Sequence, residues 1–240
     1  MRLYGKNPIL ERIKANPKTI RKILVQEGHV DAGYVRSKAS KWGIAFQTIP
    51  QSKMQKIARG INSQGILAEV EDFRYADYGE LLERVESENL SLVFLDGLMD
   101  PQNLGAIIRS LACLGEFAVV LPRKDSVDMT ETVFRVASGG DNYVSVARVA
   151  NLSHAISEAK KHGVSIVGAV TEQGEDLNEV RFTFPVGLVI GSEQKGIRDI
   201  VKNQLHLKIT IPMKQPRLSF NAAQATTILC YEIAKQKKKK

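Results

Sequence analysis

The stretch from residue 186 to residue 223, VGLVIGSEQKGIRDIVKNQLHLKITIPMKQPRLSFNAA, decides how this chain is read. An apolar run ends in Gly191-Ser192-Glu193-Gln194-Lys195-Gly196. A second run, Leu207 to Ile211, ends in Pro212-Met213 and a polar loop, after which Ser219-Phe220-Asn221 opens an alanine-rich helix. Two strand ends thus carry small or polar residues where they leave a sheet, the place at which open α/β sheets bind ligands. A third such junction lies earlier, from Leu95-Asp96-Gly97 through Asn103 and Gly105 to Arg109. The expectation is that these three loops form one site.

Outward from that stretch, the runs Leu92–Leu95, Phe117–Leu121, Val164–Val170, Gly187–Ile190 and Leu207–Ile211 are continuously apolar, with Tyr143 to Val146 a weaker strand. Runs without alternation, separated by helical patterns, indicate a parallel sheet covered on both faces. The fold class is therefore α/β. The front of the chain reads as a smaller αβα unit. Asn7-Pro8 looks like a helix start, Ile20 to Val25 a strand, and Asp31 the cap of a helix to about Trp42. Ile44 to Ile49 and Gly65 to Val70 are further strands around a helix from Pro50 to Arg59. Charge changes at Glu69-Val70-Glu71-Asp72, so the division expected is a front domain at 1–74, a polar, helix-prone connection at 75–88 and a second domain at 89–240.

Charge separates the two parts. The formal net charge is +8, and residues 1–75 hold 14 Lys/Arg against 6 Asp/Glu while the remainder balances at 20 against 20. A basic front third attracts phosphate backbones, and Arg36, Lys38, Lys41, Lys53 and Lys56 are the cations expected around a nucleic-acid face, together with Arg21, Lys22 and Arg59. The lysine tip at Lys235–Lys240 reads as a solubilising tail. No apolar run approaches the length of about 18 residues that spans a bilayer, and MRLYGKNPILERIK has charges where a signal peptide needs its apolar region. The expected location is the cytoplasm, without membrane contact. Cys113 and Cys230 sit in apolar helical patterns without CxxC spacing, which predicts buried, inert thiols. His29, His154, His162 and His206 lack partners at ligand spacing, and no HExxH, GxGxxG or GxxxxGK[ST] motif is present. No metal is expected.

What remains is a polar set. Asn103 and Arg109 are six residues apart, about 600° around a helix, so they do not share a face. Asn103 is expected in the entry turn. Arg109, amid Ile107, Ile108 and Leu111, is expected to be covered by its neighbours unless it meets another subunit, an anionic substrate or an ion-pair partner. Glu193 could cap a helix, and capping alone would account for Ser219 or Asn221.

Together these blocks resemble the SpoU/TrmH family of RNA ribose 2′-O-methyltransferases, in the knotted SPOUT superfamily. Asp100-Pro101-Gln102-Asn103-Leu104-Gly105 to Arg109 resembles the family's N-x-G-x-x-x-R motif with its upstream D-P. Gly191-Ser192-Glu193-Gln194-Lys195-Gly196 matches G-x-E-x-x-G, and Ile211-Pro212-Met213 with Ser219-Phe220-Asn221 resembles I-P-M … S-L-N. The front, from Tyr4-Gly5-Lys6-Asn7-Pro8, is similar to the small ribosomal-protein-like RNA-binding domain of members that modify large-subunit ribosomal RNA. Phe220 departs from the usual leucine, Lys214-Gln215-Pro216-Arg217-Leu218 from a glycine-containing loop, and Ala223 from a common serine.

The resemblance implies a C-terminal trefoil knot, S-adenosylmethionine as cofactor, an obligate homodimer and RNA as substrate, with a ribosomal guanosine ahead of a transfer-RNA guanosine. It implies backbone groups near Gly191, Ile211 and Phe220 holding the cofactor and Arg109 facing the target ribose. Asn103, Ser219 and Asn221 would position loops and ribose, and Glu193 would orient Arg109 or its own loop. A non-catalytic RNA-binding or assembly protein on the same fold is the first alternative. An oxidoreductase on a doubly wound sheet is the second, disfavoured by the missing glycine fingerprint.

Overall fold

The structure is a computed structural model and describes residues 1–215 and 218–238, the Glu86 side chain apart. The centre of the 214–218 loop and the last two residues of the lysine tip lie outside the described residues. The front unit runs β1 (Arg2–Tyr4), α1 (Lys6–Ala15), β2 (Ile20–Gln26), α2 (Ala32–Ser40), β3 (Ala45–Ile49), α3 (Gln51–Ala58) and β4 (Ile66–Val70). Its sheet has the order β1-β4-β2-β3, parallel only between β2 and β3. Leu3, Ile23, Val25, Ile66 and Ala68 face α1 and α2. Leu24, Ile49 and Leu67 face Met54 and Ala58 of α3. Alternate residues of β2 thus feed two layers, as the pleat requires.

Two expectations are corrected here. Asn7 does not cap α1; the helix starts one residue earlier behind Gly5, and Pro8 is buried inside the first turn. Asp31 occupies the cap position of α2 but caps nothing, because its carboxylate accepts Lys6 Nζ at 2.6 Å instead.

The second unit begins with α4 (Tyr78–Ser87), so the connecting stretch is itself a helix, and Leu81, Leu82 and Val85 bury it against the large sheet. There follow β5 (Ser91–Asp96), α5 (Pro101–Leu114), β6 (Phe117–Pro122), α6 (Glu131–Ala137), β7 (Ser145–Val149), α7 (Leu152–Lys161), β8 (Ser165–Ala169), β9 (Glu175–Asp176), β10 (Val186–Gly191), α8 (Asp199–Lys202), β11 (Leu207–Thr210) and α9 (Ala222–Lys237). The sheet is parallel throughout, in the order β7-β6-β5-β10-β8-β11-β9. Val93 and Leu95 of β5 pack with α5, α6 and α9, while Leu92 and Phe94 pack with α4 and α7. Both faces are covered, which is why the strands read as unbroken apolar runs. Among the described residues no helix is long and apolar enough to cross a membrane.

The two units share one apolar core and a polar seam. Arg12 of α1 reaches a single 3-10 turn, Gly140–Asn142, where its Nη2 lies 2.5 Å from Asp141 Oδ2. Tyr4 and the Arg2 backbone donate to Glu131, and Tyr143 donates to Glu11 at 2.6 Å. Burial pushes the Asp141 carboxyl above the usual carboxylate range, outweighing the opposing pull of Arg12. The pair is therefore costly to bury, and its influence shows when one half is removed. Asp141→Ala should lower stability by about 3–5 kcal/mol, whereas replacing both residues with apolar ones of similar volume should recover most of the loss. Urea unfolding of the two variants checks this.

Candidate functional site

β10 lies between β5 and β8, with Gly191 in register with Asp96. Two strand ends from distant parts of the chain therefore leave the sheet side by side. Asp96 has no exposed side-chain surface, and a buried carboxylate needs partners. It accepts the Arg198 backbone N–H at 2.9 Å and Arg198 Nε at 2.7 Å, while Arg198 Nη2 lies 2.6 Å away. The loop after β10 is thereby tied to the end of β5. Within it, Ser192 and Gly196 exchange backbone hydrogen bonds at 3.1 and 2.9 Å. A Cβ at Gly191 would stand 2.1 Å from the Gly196 carbonyl carbon and 2.3 Å from the Ile197 nitrogen, so only glycine fits there.

Asp100 caps α5 by accepting the Gln102 N–H at 2.8 Å, with Pro101 at the first helical position. That puts Asn103 in the first turn, buried, where its amide donates a short hydrogen bond to Glu193 Oε1. The entry-turn expectation for Asn103 holds, and the bond joins the first motif to the second. On the third side, Thr210 at the end of β11 accepts the Gly174 N–H on its hydroxyl at 3.1 Å. Asn221 and Gln224 form a reciprocal cap at the start of α9, at 2.8 and 3.3 Å. The Asn221 side chain therefore fixes the start of the helix.

The loops after β8, β10 and β11, with the start of α9, enclose a cavity of about 750 Å³, within the usual range for small-molecule sites. Asn103 and the rest of the β5–α5 loop stand behind it and, among the described residues, reach it only through Glu193. Gly191, Glu193, Ile211, Ser219, Phe220 and Asn221 all line it. Ile190, Ile197 and Ile209 make its apolar wall, and Phe220 is 42 % exposed. Sequence reasoning missed the loop after β8, Thr171-Glu172-Gln173, and the lysines Lys202 and Lys208, which line the cavity together with Lys195 of the second motif. The signal was available: all these strands are parallel, so the carboxyl end of β8 must open on the same side.

Arg109 is not in this cavity. It is exposed on α5, without an ion-pair or hydrogen-bond partner among the described residues, because Ile107, Ile108 and Leu111 turn inward and leave it on the opposite side. It lines a second groove of about 370 Å³ with Asn7, Leu10 and Glu11 of the front unit and Tyr143. Gly140 sits beneath, where a Cβ would lie 3.1 Å from the Arg109 Cα. Glu193 consequently pairs with Asn103 rather than with Arg109 of its own chain. Cys113 is also corrected: it is exposed beside Arg109, while Cys230 is buried and its thiol pKa raised by that burial. Among the described residues no group of three or more His, Cys, Asp or Glu could hold a metal ion.

Gly191→Ala should force the Ser192–Gly196 loop away from β5 and cost about 1–3 kcal/mol, the range for overpacking. Thermal unfolding should show the loss, and the Ser192 and Gly196 amides should exchange hydrogen faster than in the parent.

The comparisons agree with this geometry. Residues 90–231 match the model of the SpoU rRNA Methylase family, and residues 2–76 match one described as RNA 2′-O ribose methyltransferase substrate binding. YacO of Bacillus subtilis, whose name assigns it provisionally to the TrmH family tRNA/rRNA methyltransferases, is 34% identical over 98% of this chain and 95% of its own. The SpoU methyltransferase AviRb of Streptomyces viridochromogenes, solved with AdoMet, superposes with a TM-score of 0.81 at 22% identity, over 100% of this chain and 91% of that one. An AdoMet-bound rRNA methyltransferase from Sinorhizobium meliloti gives 0.80 at 22% identity, over 98% and 87%. Matching motif order, fold and family models over most of its length, the chain belongs to the SpoU rRNA methylase family.

Proposed function

We propose that this chain transfers the methyl group of S-adenosylmethionine to a ribose 2′-hydroxyl in RNA. The observation that carries the reading is the Asn103–Glu193 bond at the lip of a cavity lined by the second and third motifs. The residues present suit that cofactor. Isoleucine walls and the open Phe220 ring suit a flat base, and a rim carrying Glu172, Glu193 and three lysines suits an amino acid bearing both charges. Backbone at Gly191, Ile211 and Phe220 would hold it. When bound, the cofactor supplies an electrophilic sulfonium methyl. The protein's task is then alignment, which can contribute about 7–11 kcal/mol. Proton removal contributes less, roughly 10²–10⁴-fold.

A guanidinium keeps its proton and offers a planar fork that matches phosphate. Arg109 is accordingly assigned to the RNA phosphate and the developing alkoxide rather than to proton removal. Its position outside the cavity favours a homodimer in which each site takes Arg109 from the partner copy. Asn103 and Glu193 hold the loop, Asn221 holds the start of α9, and Ser219, without a side-chain hydrogen-bond partner among the described residues, is assigned to the ribose. The trefoil knot belongs to the same reading, since β10 is inserted between β5 and β8 and α9 returns to pack on α5. The division into residues 1–74, 75–88 and 89–240, with RNA recognition in the basic front unit and the reaction in the cytoplasm, belongs to this proposal. A guanosine of large-subunit ribosomal RNA is the proposed target, with a transfer-RNA guanosine second.

Arg109→Lys should reduce methyl transfer by at least tenfold while leaving cofactor affinity unchanged. Activity within a few-fold of the parent would remove the fork-like contact from the account. Mapping 2′-O-methylated riboses in RNA from cells with and without the gene identifies the target, and loss of a transfer-RNA methyl instead of a ribosomal one would select the second reading.

A further inference from the structure

Helix α2 buries Val35 and Ala39 and turns a different set of side chains outward. Tyr34 and Lys38 are four apart on one side, Lys41 follows at the end of the helix, and Trp42 comes just past it. Tyr34 is 51% exposed and Trp42 56%, although large aromatic side chains gain most from burial. The Lys6 and Lys38 ammonium groups stand 5.8 and 5.3 Å from the centre of the Tyr34 ring. Lys38 and Lys41 have no carboxylate partner among the described residues, and Trp42 makes no ring contact there. Lys6 is paired with Asp31, which fixes it beside the ring.

We infer that Tyr34 and Trp42 form a stacking platform for unpaired bases of the RNA substrate, with Lys38 and Lys41 on the intervening phosphates. This rests on the RNA-methylating reading above and goes beyond it in naming the surface and the single-stranded form. Three arguments select that occupant. Unpaired cations beside open rings match the two parts of a nucleotide, its phosphate and its base. A protein partner fits worse, because lysine is depleted at the centres of protein interfaces. A duplex also fits worse, because its bases are already stacked on each other and its deep groove is closed to side chains.

Spacing narrows the occupant further. From Tyr34 to Ser40, the last residue of α2, the helix rises about 9 Å, and Trp42 lies two positions beyond that end. Successive bases in a stack are about 3.4 Å apart. The two rings therefore engage bases separated by other nucleotides, as in a splayed loop. Helix α1 carries both Lys6, beside Tyr34, and Asn7, which lines the Arg109 groove.

Trp42 is the only tryptophan in the chain, so intrinsic fluorescence reports on this surface directly. The full-length protein is titrated with an RNA hairpin bearing an unpaired loop and with a blunt duplex of the same composition. The hairpin should quench the fluorescence and the duplex should not. Read by the anisotropy of a dye-labelled hairpin, since Trp42 variants carry no tryptophan, Trp42→Ala should weaken hairpin binding by roughly 5- to 150-fold, the range for loss of one stacked base. Trp42→Phe should restore it, and neither change should alter the salt dependence. Lys38→Ala or Lys41→Ala should instead lower the slope of log affinity against log salt by about 0.7 each. Equal quenching by duplex and hairpin, or hairpin binding by Trp42→Ala at the parent's affinity, would overturn the platform and leave the methyltransferase reading standing. A parent protein that neither binds nor methylates RNA would overturn both.

Discussion

A carboxylate with no exposed side-chain surface must be partnered where it lies, and Asp96 is partnered by Arg198 from the far side of the sheet insertion. Removing Arg198 would leave the Asp96 charge buried and short of its ion-pair partner, at a cost of about 3–5 kcal/mol. That constraint fixes where the loop after β10 can go. Once the loop is held against the end of β5, Glu193 reaches Asn103 and Gly191 packs its backbone directly on Gly196. The cavity follows from these contacts, with β11 and the cap of α9 closing its remaining sides.

A second constraint joins substrate recognition to the same scaffold. The 3-10 turn at Gly140–Asn142 touches α5 through Gly140 and the front unit through Asp141. Helix α1 is therefore docked within reach of Arg109, and the groove between them is walled by both units. A front domain that gathers RNA is useful to a methyltransferase only if it delivers the strand at a fixed place. The buried Arg12–Asp141 pair and the shared apolar core supply that fixity.

Much of this was legible in the chain. Unbroken apolar runs announced a two-sided parallel sheet because Leu92 and Phe94 serve one helical layer and Val93 and Leu95 the other. The motif blocks brought Gly191, Glu193, Ile211, Ser219, Phe220 and Asn221 to one cavity because strand ends of a parallel sheet open on one side. Other features were not legible. β1 and β9 are too short, at three and two residues, to show any period. Asp96 and Arg198 lie 102 residues apart, and no local pattern pairs them. Arg109 and Cys113 were expected to be covered because their neighbours in sequence are apolar, yet those neighbours occupy another face of α5. Linear proximity misled where angular position decided.

The central claim, that these strand ends form one pocket for a methyl donor, is tested most directly by calorimetry. Titration with S-adenosylmethionine should give saturable heat at one equivalent per chain, and titration with NAD should give none. Saturable binding of NAD with no response to S-adenosylmethionine would contradict the account.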